Sequence, residues 1–129
     1  MPEFLGLLRD GLHRFLVQTI QTLEETGRTV CDVTNTGPWE GTMHLARQVW
    51  DASRHVDIVL KLLERVEGHS GESVETTAAT TSAGRASDTL AQLIALAKEM
   101  GDADLERALE WVRADMNVWG QKDQAYAVA

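Results

Sequence analysis

The chain has a single cysteine, two prolines and only 5% aromatic residues. Cys31 alone cannot form an internal disulfide, so no disulfide framework shapes the fold, and this cysteine usage fits a reducing cytoplasm. With Pro2 and Pro38 as the only prolines, nearly the whole chain is free of the strongest helix breaker. No apolar run approaches the ~18 residues of a membrane span. Met1-Pro2-Glu3 also lacks the basic n-region of a cleaved signal. Positive charge is scarce as well. Twelve Lys+Arg against 20 Asp+Glu give a net charge of −8, which disfavours unspecific adhesion to nucleic acid or anionic membrane. The expectation is a cytoplasmic protein with no membrane association.

What is present suits one all-α domain of 129 residues. A chain of this size buries roughly two thirds of the surface its unfolded form exposes, so it needs neither disulfides nor a structural metal. Hydrophobic residues at 43% and charged residues at 25% exclude a disordered tail or a collagen-like repeat. Apolar residues recur at helical spacing. The first stripe is Leu5, Leu8, Leu12, Phe15, Leu16, Ile20 and Leu23, continued by Thr26, Val30 and Val33, which predicts a helix over about 3–33. Asn35-Thr36-Gly37-Pro38 breaks it, and Pro38 fits the first position of a second helix over about 38–67. That helix has Leu45, Val49, Ala52, Val56, Val59, Leu63 and Val66 as its core face.

Residues 69–86 are rich in Ser, Thr and Ala and read equally as a linker or as the opening of a third helix. For the helix, Ala79, Ala83, Ala86, Leu90, Leu93, Ala97 and Met100 repeat at 4-3 spacing, which extends it over 73–100. Gly101 then stops one helix and Asp102 caps the next, over 102–127, with Leu105, Leu109, Val112, Met116, Trp119 and Tyr126 inward. Four helices of this length joined by short turns predict an antiparallel, up-down-up-down four-helix bundle. The alternative is a two-helix hairpin that completes its core by dimerising.

Candidate chemistry begins with the histidines. His44, Asp51 and His55 lie on one edge of the second helix, and His13 lies at the margin of the first stripe. Imidazoles and carboxylates converging between helices are how metal sites are built in bundles. His13, His44, Asp51 and His55 are therefore the candidates for a metal-binding alternative. The Glu-x-x-His pairs of a di-iron bundle are missing, and the bland account is that these histidines are boundary residues of amphipathic helices. No local pattern sets a base or an oxyanion hole beside Cys31 or the Ser/Thr-rich middle, and no phosphate loop follows a strand. No catalytic residue and no cofactor are expected.

The outward faces are more informative. Met43, Arg47, Trp50, Arg54, Lys61 and Arg65 form a second stripe on helix two, spaced 4-3-4-7-4 and free of acidic residues. Trp50 points roughly 150° from the centre of the apolar face at 100° per residue. Trp111 and Val118 likewise point off the core stripe of helix four. Tryptophan and arginine are the pair most enriched at interface hot spots. The competing account lays Trp50 flat on a neighbouring helix, with the arginines paired to its acids. The expected function is non-catalytic protein–protein contact, as an adaptor, assembly subunit or homo-oligomer, through the outer faces of helices two and four. The Arg47, Arg54, Lys61 and Arg65 ridge also suits an accessory subunit of a nucleic-acid complex, a further alternative.

Trp39-Glu40-Gly41, set between two long helices, resembles the Trp-x-Gly motif of the WXG100 proteins, small acidic helical hairpins exported without a cleaved signal. The resemblance spans about residues 3–67. It departs in the helices after residue 72 and in the C-terminal Tyr-x-x-x-Asp/Glu signal, since only three residues follow Tyr126. Trp39 is otherwise expected to cover the end of the bundle as an apolar plug.

Overall fold

The computed structural model describes residues 2–33, 39–70 and 85–125, with side chains over 3–32, 39–67 and 85–122. These residues form four helices and no strand: α1 (Pro2–Val33), α2 (Trp39–Ser70), α3 (Ala86–Met100) and α4 (Ala103–Ala125). The protein is all-α. The proposed start of helix three near Ser73, with Ala79 and Ala83 on its seam, lies outside the described residues. So do the break at 34–38 and Tyr126.

α1 packs on α2 and on α3, and α4 packs on α3 and on α2; among the described residues neither diagonal pair approaches closely. The helices thus surround the core in the order α1, α2, α4, α3. Gly11 of α1 faces Leu93 of α3. A Cβ at that position would lie 2.6 Å from Leu93 Cδ2, so any side chain there would have to displace the buried Leu93. The α3–α4 corner is closed by a Schellman motif. Gly101 takes φ 69°, in the left-handed region. Its N–H donates to the Lys98 carbonyl and the Asp102 N–H to the Ala97 carbonyl, both at 3.1 Å. Asp102 Oδ1 then accepts the Leu105 N–H at 3.1 Å and caps α4. Its other oxygen takes Arg65 Nη2 from α2 at 2.9 Å.

The apolar core is concentrated towards one end. Leu8, Leu12 and Phe15 of α1 meet Val59, Leu63 and Val66 of α2, Leu90, Leu93, Ile94 and Ala97 of α3, and Leu105, Leu109 and Val112 of α4. Each large side chain fully buried there contributes about 1.5–3 kcal/mol of transfer free energy. Along the axis the buried positions then turn polar: Gln18 and Thr19 on α1, Gln48, Asp51 and His55 on α2. This corrects the expectation of one continuous apolar stripe. Ile20 is 38% exposed, and Leu23, Thr26, Val30, Leu45, Val49 and Val56 are only half-buried. The first residues of α3, Ala86 and Ser87, stand beside Gln18, Gln21 and Thr22, so the described part of α3 does not cover α1 beyond that level.

Candidate functional site

The polar end of the core is organised by a five-residue network joining α2 to α4. Asp51, Arg54 and His55 occupy adjacent turns of α2, while Asp115 and Trp119 are one turn apart on α4. The Trp119 indole N–H donates to Asp51 Oδ2 at 3.1 Å. Arg54 Nη2 donates to Asp51 Oδ1 at 2.8 Å and to Asp115 Oδ2 at 3.3 Å. His55 Nε2–H donates to Asp115 Oδ2 at 2.9 Å. The imidazole also stacks on Trp119, with ring centroids 5.2 Å apart and planes 29° from parallel. His55 itself is 1% exposed.

These surroundings move two titrations. Burial pushes the His55 pKa below its ordinary value, because the interior disfavours the imidazolium. The Asp115 carboxylate opposes that shift without cancelling it. His55 is therefore a neutral donor near pH 7, and its contact with Asp115 is a hydrogen bond from an uncharged ring. Burial alone would raise the Asp51 pKa, but hydrogen bonds from Trp119 and Arg54, with the Arg54 charge, outweigh it and hold the carboxyl below its ordinary value. Asp51 is thus a firmly ionised anchor for two donors.

Outside this network lies an open groove of about 1040 Å³. α2 contributes Trp39, Glu40, Met43, His44, Arg47 and Trp50, and α4 contributes Val118, Trp119 and Lys122, with Asp51, Arg54 and Asp115 forming its floor. All four tryptophans of the chain are on these two helices. Trp50 is 68% exposed and Trp111, on the same face of α4 as Val118, is 63% exposed. Met43 and Val118 are exposed too. Trp39 corrects an expectation: at 71% exposure it lines the groove and plugs nothing.

The basic stripe is largely neutralised by acids placed off it. Arg54 is held by Asp51 and Asp115, Lys61 by Asp57 at 2.9 Å, and Arg65 by Asp102 at 2.9 Å. No carboxylate among the described residues pairs with Arg47. The metal candidates are not brought together. His55 is turned to Asp115, and His44 Nε2 accepts from the Gln48 amide at 2.7 Å. His13 is buried on α1 with Glu67 3.4 Å from its Nε2. Among the described residues no group of three or more His, Cys, Asp or Glu side chains is arranged to hold a metal ion. No helix of the described residues is long and apolar enough to cross a membrane.

Sequence reasoning missed Asp115; Trp119, expected on the inward face, is half-buried against His55 and donates its indole N–H to Asp51 of α2. Asp51–His55 and Asp115–Trp119 share i,i+4 spacing on neighbouring helices, and that shared spacing was the available signal. Comparison with known proteins finds no matching family model, no matching curated protein and no matching solved structure.

Proposed function

We propose that this chain is a non-catalytic protein–protein contact module, a single antiparallel four-helix bundle acting through the outer faces of α2 and α4. Antiparallel packing of neighbouring helices is supported by the α2–α4 pairings, Asp51 with Trp119, Arg54 with Asp115 and Arg65 with Asp102, in which one number rises as the other falls; they favour an up-down-down-up order over the expected up-down-up-down one, in which α2 and α4 would run parallel. The observation that carries the function is the gathering of Trp39, Met43, Trp50, Trp111 and Val118, all exposed, on one pair of helices. A solvated face gains nothing from three exposed indoles, whereas interface cores are enriched in Trp, Met and Arg. Met43, Arg47, Trp50, Arg54, Trp111 and Val118 are the contact residues of this reading, with Lys61 and Arg65 at its rim. Because Arg54, Lys61 and Arg65 are already engaged by carboxylates, phosphate recognition along the ridge is the weaker reading.

Arg54 also decides the test. Reversing its charge would set a third carboxylate beside Asp51 and Asp115 and disturb the fold, so Arg47 is the better site. Trp50→Ala with Arg47→Glu leaves helicity and Tm nearly unchanged while abolishing capture of a nuclease-resistant protein partner, an untagged copy of the chain included. Capture undiminished in that variant, or nothing captured by the wild type, rejects the reading.

A further inference from the structure

Resting on that contact face, we infer that its occupant is a second copy of this chain, docked about a two-fold axis beside Met43. Two observations select this partner. First, the groove is locally neutral although the chain carries −8: Glu40, Asp51 and Asp115 are balanced by Arg47, Arg54 and Lys122. Two copies can therefore bring these faces together without the like-charge repulsion that the rest of the surface would impose. A strongly acidic or strongly basic partner finds no matching field there.

Second, the charges left over are self-complementary. Arg54 is used up within the network, while Glu40 and Arg47, both exposed, pair with nothing among the described residues. They lie seven residues apart on α2, about 10 Å along the axis at 1.5 Å per residue, too far for one to satisfy the other. A two-fold that places Met43 against the partner's Met43 sets two α2 helices antiparallel. Position i then meets position 86 − i, so Glu40 lies against the partner's Ala46, next to and within reach of the partner's Arg47, and Arg47 is reached by the partner's Glu40 in turn. Trp39 falls beside the same guanidinium, within reach of a cation–π contact. An isologous interface requires this reciprocity.

The test is sedimentation of the full chain across micromolar concentrations, comparing wild type, Glu40→Arg, Arg47→Glu and the double swap, with far-UV circular dichroism confirming the fold of each. The expected result is a wild-type dimer, at least tenfold weaker self-association in each single variant, and recovery to within about threefold in the double swap. Recovery is diagnostic because it needs residue 40 to meet residue 47 of another copy. A wild-type monomer at every concentration overturns the dimer while leaving the contact face to be judged by partner capture. A dimer indifferent to both charges but lost in Trp50→Ala overturns the two-fold at Met43 and keeps the face. A dimer indifferent to all these changes overturns both.

Discussion

Replacing Asp115 with alanine isolates the bond that ties α4 to the buried imidazole of α2. Asp115 accepts from His55 at 2.9 Å and from Arg54 at 3.3 Å. His55 is 1% exposed, and a buried donor that loses its acceptor costs about 1–3 kcal/mol. Arg54 keeps Asp51 and remains exposed, so its share is below about 1 kcal/mol. The expected loss is about 2–3 kcal/mol. At about 3–5 °C per kcal/mol for a chain of this length, Tm falls by about 6–15 °C. Asp115→Asn retains an acceptor oxygen in the same place and loses about 1 kcal/mol. Urea unfolding followed by circular dichroism at pH 7.5 measures both.

Acid titration sharpens the same experiment. The folded His55 pKa lies below the unfolded 6.5, so its stability contribution is complete above pH 6.5 and drains away as pH falls towards the folded value. The loss runs at no more than about 1.4 kcal/mol per pH unit for one proton. Because Asp115 holds that pKa up, its removal lengthens the window downward, and the gap between Asp115→Ala and wild type widens below pH 6.5. A change smaller than about 0.5 kcal/mol at pH 7.5, the range of ordinary surface substitutions, would refute the network. An asparagine variant no better than alanine would do the same.

Two further outcomes follow from geometry. Trp119→Phe keeps the ring over His55 but removes the N–H donated to Asp51; it costs about 1 kcal/mol and moves the acid limb of the stability profile upward, as Asp51 loses a bond that lowers its pKa. Gly27→Ala, with nothing near its Cβ, stabilises by up to about 1 kcal/mol. Gly11→Ala must displace the buried Leu93 and forfeits that gain or reverses it by about 1 kcal/mol. Denaturant midpoints of the pair decide it.

The four helical segments and the α3–α4 corner are legible because periodicity and the Gly101-Asp102 pair are local signals. Exposure of Met43, Trp50, Trp111 and Val118 is legible for the same reason: a helical phase places a residue on a face without knowledge of neighbours. Ile20 is not, since its burial depends on what packs over that level of α1, a tertiary fact. The partners of Trp119 and Asp115 are hidden similarly. Whether an indole on the inward face meets leucine or a carboxylate depends on the register of α4 against α2, which no spacing within one helix encodes.

The placement of all four indoles on α2 and α4, with none on α1 or α3, makes the chain's intrinsic fluorescence a one-sided observer. Emission reports the α2–α4 seam and its groove, whereas circular dichroism weighs every helix alike. If α3 peels from α1 before the seam opens, ellipticity falls while emission holds, so comparing the two signals during one unfolding transition resolves the two halves without an added label. The half-buried Trp119, stacked on His55, is the only one of the four whose emission also follows the protonation of that imidazole.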